Sequence, residues 1–306
     1  MSTFDPDALE CLAAIVEEGG FERAAQRLSI TQSAVSQRLR ALEAQVGAVL
    51  VVRSRPLKAT AAGQLLLKHA KMMRLLRADL ERDLRELAPN ATRGQRDEDR
   101  IAIAVNADSI ATWVLPAITP LIRDGVAIEI IHDDQDFTHE WLRKGQVMGC
   151  VTSLGQALRG CRLEPLGAMP YVAVASPGFA AAALQGQLTP YNFHRVPFLA
   201  FNRKDDLQRD FVCQAFELAR ASLKQVYVPS SEGQVRAALA DWGIAVVPRL
   251  LVDPLLDRGQ LVNLAPSHDY RVPLYWHCWN LTSDLLDGLS LALRQAAQAT
   301  LDPLSL

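Results

Sequence analysis

Cysteines and long apolar runs are both scarce in this chain, and each scarcity rules something out. The five cysteines (Cys11, Cys150, Cys161, Cys213, Cys278) lie far apart with no C-x-x-C spacing. That argues against a disulfide framework or zinc site and for a reducing cytoplasm. No apolar run approaches the roughly 20 residues that span a bilayer, so no membrane partner is expected. The opening residues MSTFDPDALE lack the basic and apolar regions of a secretory signal. Phosphate-binding Gly-rich loops, a nucleophile elbow and H-E-x-x-H are all missing. His132 and His139 stand near Asp133, Asp134 and Asp136, which invites a metal reading, but a solvated loop accounts for them better. The expectation is no enzyme, no metal and no cofactor.

What is there is enough for two or more soluble domains: 306 residues, 49% hydrophobic and 22% charged. The net charge of −2 hides an asymmetry. Residues 20–77 carry eleven lysines and arginines against two acids, Glu22 and Glu43, while both flanks are acidic. A compact basic block of this kind is the footprint of a phosphate-backbone partner, so only the N-terminal part should meet double-stranded DNA.

Phe21 to Val46, FERAAQRLSITQSAVSQRLRALEAQV, reads as two short helices joined by a tight turn at Ser29-Ile30. Ala24 and Ala25 let another helix lie close, and Thr31 is a natural N-cap for the second helix. Val35, Leu39, Leu42 and Val46 form one stripe at helical period. The opposite face carries Gln32, Ser33, Ser36, Gln37 and Arg40, groups that read base edges in a major groove. A preceding helix, Asp5 to Glu18, buries Leu9, Leu12, Ala13 and Val16 and ends at Gly19-Gly20. After Gly47, Val49 to Val52 reads as a short strand. The cationic turn Arg53, Arg55, Lys58 then reads as a wing reaching phosphate or the minor groove.

Thr60 caps a long helix in which Leu66, Met73, Leu80 and Leu87 recur every seven residues, with Leu76 between them. His69 and Asp83 interrupt this seam, which nevertheless fits pairing between two copies. Residues 88–100 (APNATRGQRDEDR) are a polar linker. From Ile101 onward strands and helices alternate, which implies parallel sheets with helices on both faces. Strands are expected at 101–105, 126–131, 147–151, 171–175, 198–201, 226–228, 244–247 and 274–279, with a helix broken near Pro116. About 200 residues of this pattern suggest two lobes around a small-molecule cleft. The expected fold is α/β. A winged helix-turn-helix (1–60) leads into a dimerisation helix (61–88), a hinge (89–100) and a two-lobed, periplasmic-binding-protein-like effector domain (101–306). Its lobe I takes 101–168 and 269–306, and lobe II takes 169–268.

This order of elements, with FERAAQRLSITQSAVSQRLRALE close to the family signature, resembles the LysR-type transcriptional regulators nearly end to end. AVNADSIATWVLPA, RKGQVMGCVTS, FNRKDDL and PLYWH resemble the subgroup that senses lysine and arginine and activates a basic amino acid exporter. The resemblance implies a cytoplasmic regulator that binds promoter DNA as a dimer or tetramer and works with RNA polymerase, with activation and repression both open. Its promoter contacts would change when L-lysine or L-arginine enters the cleft. Carried over by position, Gln32, Ser33, Ser36 and Gln37 match base-reading positions, Arg38 and Arg40 backbone ones, and Arg53 the wing cation.

In a doubly wound sheet the ligand sits beyond the carboxyl ends of strands, where helix N-termini offer N–H groups. Asn106, Asp108 and Ser109 lie at such a place. The N–H groups of Ser109 and Ile110 would hold an α-carboxylate, and Asp108 an ammonium or side-chain cation. Phe201, Asp205, Asp206, Ser230 and Ser231 would face them from the other lobe, with Thr152 in the floor. N-capping is the competing role for Asp108, Ser109 and Ser230, and an acidic first helical turn for Asp205 and Asp206. Two other readings compete with the whole: a LysR-type regulator with a different small effector, and a solute-binding module of the transport type.

Overall fold

The computed structural model describes residues 4–304 apart from 53, 55–56, 88–99, 134–136 and 269, and the side chains of 85–87. The hinge and the wing-tip residues Arg53 and Arg55 therefore lie outside the described residues.

Three helices open the chain: α1 (Pro6–Glu18), α2 (Phe21–Arg27) and α3 (Gln32–Val46). Local chemistry sets their ends. Asp5 accepts from the Asp7 N–H with Pro6 in the first turn, and Gly19 closes α1 in the left-handed region. Thr31 Oγ1 accepts from the Ala34 N–H at 3.2 Å, and Gly47, at φ 74°, ends α3. Ser29 takes φ 55° to turn the chain between α2 and α3. Val35, Leu39 and Leu42 are buried as the stripe required, each contributing about 1.5–3 kcal/mol.

The wing is a two-stranded ribbon, β1 (Val51–Val52) antiparallel to β2 (Lys58–Ala59). Helix α4 (Ala61–Leu87) follows, with Thr60 Oγ1 accepting from the Gly63 N–H at 3.1 Å. A side chain at residue 63 is impossible without displacement, because a Cβ there would stand 2.1 Å from the Leu50 carbonyl oxygen. That close approach packs Leu66, Leu67 and Ala70 into the same core as α1, α3 and Leu50.

Leu66 therefore does not lie on a free seam as the seven-residue spacing predicted. The outward stripe of α4 is Leu65, Met73, Leu76, Leu80 and Leu84, all exposed, while Leu75 and Ala78 join the core of the C-terminal half. One helix thus roots in both cores and leaves a third face bare.

The C-terminal half is built on β3 (Ile101–Asn106), a helical turn α5 (Ala107–Ser109), α6 (Leu115–Arg123), β4 (Ile128–Asp133), α7 (Thr138–Arg143) and β5 (Gly149–Thr152). The long strand β6 (Cys161–Ala175) leads to α8 (Pro177–Leu184), β7 (Pro197–Ala200), α9 (Leu207–Ala215), β8 (Lys224–Tyr227) and α10 (Ser231–Leu239). Then come β9 (Ile244–Pro248), α11 (Arg249–Asp257), β10 (Val262–Asn263), the long strand β11 (Tyr270–Trp279) and α12 (Asp284–Thr300). The sheet runs β4-β3-β5-β11-β6-β9-β7-β8, with β10 beside β6.

The expectation of parallel sheets holds only toward the two ends. There β3 pairs in parallel with β4 and β5, and β7 with β8 and β9. The middle is antiparallel, because β6 and β11 cross from one lobe to the other as a pair. The helix expected to break near Pro116 instead winds as one π turn over Ile110–Val114. Pro116 then sits in the first turn of α6, where a missing N–H goes unneeded. Among the described residues no helix is long and apolar enough to cross a membrane.

Candidate DNA interface and effector cleft

On α3, Gln32, Ser33, Gln37 and Arg40 are exposed and Ser36 is half-buried, all on the side away from the core. Ser33 is tied to the helix start by a 2.9 Å hydroxyl contact with Thr31. Ser36 and Arg40 share a groove with Val49 and Val52 of the wing, and Lys58 is exposed on β2.

The basic block is not all turned outward. Arg38 is drawn onto α1, its guanidinium 3.1 Å from Asp7 and donating to Cys11 Sγ. Arg27 pairs with Glu17 at 2.7 Å, and the buried Arg74 donates to both Glu10 and Glu17. Much of the cationic excess between residues 20 and 77 is therefore spent against the acids of α1. The outward part is carried by Arg40, Lys58 and their neighbours.

The second site lies between the lobes, at the carboxyl ends of β3, β4 and β7. It is lined by Asn106, Asp108, Asp133, Phe201, Asp205 and Gln208, with Ala107, Leu207, Ser231, Gln234 and Val246 completing the wall. Asp108 is half-buried in this wall. Its Oδ1 accepts from Ser231 Oγ at 2.5 Å and its Oδ2 from Tyr171 Oη at 2.6 Å. Burial pushes the Asp108 carboxyl above its ordinary range, although both hydroxyls favour the ionised form and Asp205 adds repulsion. Burial and the Asp108 charge likewise hold the Tyr171 phenol protonated. Both amide atoms of Asn106 and Oε1 of Gln208 are buried without a hydrogen-bond partner. Unpaired polar atoms beside three carboxylates, with no lysine or arginine in the lining, suit a polar ligand carrying positive charge.

The expected residues divide. Asn106, Asp108, Phe201, Asp205 and Ser231 come together in the cleft. Asp205 is largely occupied in closing its own loop, accepting from the N–H groups of Phe201 and Leu207 and from Gln208 Nε2. Ser230 caps α10 through the Gly233 N–H, and Asp206 is exposed and pairs with Arg209. Ser109 Oγ is buried without a partner and does not line the cleft. The Ile110 N–H already donates to the Ala107 carbonyl. Thr152 lies buried at the end of β5, its hydroxyl accepting from the Leu154 N–H.

Sequence reasoning missed Tyr171, Asp133, Gln208 and Gln234. Asp133 was within reach, since it ends β4 directly beside Asn106 of β3. Its Oδ2 accepts from Trp141 Nε1 at 2.9 Å. His139 pairs with Glu140, and among the described residues no cluster of His, Cys, Asp and Glu is arranged to hold a metal.

Residues 6–64 match the model of the bacterial regulatory helix-turn-helix proteins of the lysR family, and residues 94–298 match the LysR substrate binding domain. The chain belongs to the LysR family. It is 40% identical to the HTH-type transcriptional regulator ArgP of Aeromonas salmonicida, over 99% of this chain and 100% of that one. The crystal structure of ArgP from Mycobacterium tuberculosis superposes with a TM-score of 0.81 at 38% identity, covering 99% of this chain and 100% of the other. Full-length LysG from Corynebacterium glutamicum with bound effector Arg gives 0.73 at 34% identity, covering 98% and 100%. These LysR relatives are transcriptional regulators, not enzymes, and a transport-type solute-binding module is excluded as a description of the whole chain.

Proposed function

We propose that this LysR-family protein is a transcriptional regulator whose promoter contacts respond to L-lysine or L-arginine held between the lobes. On this reading it controls a basic amino acid exporter gene. The observation that carries the effector assignment is Asp108. A half-buried carboxylate in the cleft wall, with two hydroxyl donors and no lysine or arginine paired with it among the described residues, is poised for a cationic guest. Asp133 and Asp205 deepen the negative potential, and Asn106 and Gln208 supply polar atoms still in need of partners. The effector bound to the similar C. glutamicum LysG is arginine, which supports the same choice here.

The DNA-contacting set is Gln32, Ser33, Ser36, Gln37 and Arg40 on α3 with Arg53, Arg55 and Lys58 on the wing. Arg38 serves as a backbone contact only by leaving Asp7. The exposed stripe Leu65, Met73, Leu76, Leu80 and Leu84 supports pairing of two copies through α4. The division at residues 60, 88 and 100, with lobe boundaries at 168 and 268, belongs to the same proposal. So do the cytoplasm as its compartment and RNA polymerase as a partner.

Calorimetric titration with lysine, arginine and a panel of neutral amino acids tests the effector. Heat with the two basic ones alone is the expected result, and heat only with a neutral one would reassign the cleft. Footprinting upstream of a basic amino acid exporter gene tests the target.

A further inference from the structure

A buried lysine joins the effector half of the molecule to the winged helix. Lys71 lies on α4, almost wholly enclosed, and its Nζ donates to the Gln146 carbonyl oxygen at 2.6 Å while standing 3.5 Å from Glu17 Oε1. Gln146 belongs to the turn after α7, in the effector half. Glu17 belongs to α1, where it also holds Arg74 and Arg27. A single ammonium is thus shared by the two halves, and burial makes each of its partners matter.

The same turn leads back to the cleft. The Gln146 N–H donates to the Trp141 carbonyl at 3.0 Å. Trp141 Nε1 in turn donates to Asp133 Oδ2, on the cleft wall. Thr138 Oγ1, at the start of α7, is fixed to the Val151 carbonyl at 2.7 Å. Gly145 lets the turn sit down on α4: it adopts φ 68°, and a Cβ there would lie 3.0 Å from Lys68 Cβ. Helix α4 is held at the far end as well, where Asp79 Oδ1 accepts from the Leu285 N–H. A charge entering beside Asp133 therefore meets a side chain four contacts from α1, through elements that are short, hydrogen-bonded and partly buried.

We infer that α7 and the Gly145-Gln146 turn carry occupancy of the cleft to the DNA-binding helices, with Lys71 as the positioning residue that reads them. This rests on the cleft being the effector site. Lys71 touches neither DNA nor the cleft lining, so its removal separates the two affinities from their coupling. Lys71→Met keeps the unbranched stem and removes the ammonium, and Glu17 retains Arg74 and Arg27.

The test uses the full-length protein and a fluorescein-labelled duplex from the region upstream of its own gene, read by anisotropy with and without arginine. Allosteric proteins typically change affinity by about 5–150-fold, and Lys71→Met should cut this response to within about twofold of unity. Arginine binding by calorimetry should stay within about threefold of wild type, since the lysine is outside the cleft. A wild-type response in Lys71→Met would overturn the inference. Should arginine give no heat with the wild-type protein, the effector reading fails, and the relay is judged without arginine from Trp141→Phe, Lys71→Met and the double variant. The two substitutions remove different contacts, Trp141 Nε1 to Asp133 and Lys71 Nζ to the Gln146 carbonyl, and without a relay between them their effects would add. The relay requires the double variant to change DNA affinity no more than the stronger single one. Additive effects, or none in either single variant, would overturn it. If thermal melting shows Lys71→Met unfolded, Gly145→Ala lifts the same turn from α4 and must lower the response equally.

Discussion

Ser231 Oγ donates to Asp108 Oδ1 at 2.5 Å across the cleft, joining the start of α10 to the turn α5 that follows β3. Residues 123 positions apart are brought together here with Tyr171 Oη on the second carboxylate oxygen. Hydrogen bonds to a charged group are worth about 1.5–3 kcal/mol. Asp108→Asn should therefore weaken binding of lysine or arginine by at least tenfold in calorimetry, and Ser231→Ala by less. An unchanged affinity in Asp108→Asn would remove Asp108 from the site.

The elevated Asp108 pKa gives effector binding a pH dependence. Only the ionised carboxylate attracts a cation, so affinity is full above the folded-state pKa and falls as pH drops through it. That fall begins above the ordinary aspartate value of about 3.9. Free-protein stability moves the other way at this site, because protonation relieves the buried charge. Titrations run from neutral pH down toward the ordinary aspartate range should show affinity declining toward the acid end in wild type and a flatter profile in Asp108→Asn.

At the DNA side, Ser36→Ala and Gln37→Ala should each cost about 1–3 kcal/mol on the specific site and little on random sequence. Lys58→Ala and Arg53→Ala should weaken both and reduce the slope of log affinity against log salt by about one each. Anisotropy titrations at several salt concentrations read both effects. An unchanged slope in both wing variants would contradict the wing assignment.

Leu80 is 56% exposed in the middle of the α4 outer stripe. Leu80→Glu should shift the protein toward monomer in sedimentation analysis and leave its melting temperature nearly unchanged, since no core contact is lost. Leu42→Ala, by contrast, empties a site that is 1% exposed and should cost about 2–5 kcal/mol of stability in denaturant titrations.

The winged helix was legible because its information is local: Thr31 caps, Gly47 stops, and a 3.6-residue stripe lies between. The ion pairs that draw Arg38 to Asp7 and Arg74 to Glu10 join distant stretches of chain, so no window of sequence displays them. In the cleft, Asp108 and Asn106 were readable from their place after an apolar strand. Tyr171 was not: it opens the strand expected at 171–175, but its bond to Asp108 joins residues 63 positions apart. The start of β6, ten residues earlier, was missed as well. Pro165, Gly167 and Pro170 make that first part look like a loop. The strand tolerates them because its register against β11 slips at Leu274/Tyr275, opposite Gly167 and Pro165, which absorbs an irregular residue. The same crossing pair is what turned an expected parallel sheet into a mixed one.

The most direct measurement of the central claim is a footprint of the full-length protein upstream of its own gene, with and without lysine or arginine. The account predicts a protected site in both conditions whose boundaries or occupancy change with either basic amino acid and not with a neutral one. Protection that is identical in all conditions, in a protein that binds arginine in calorimetry, would contradict it.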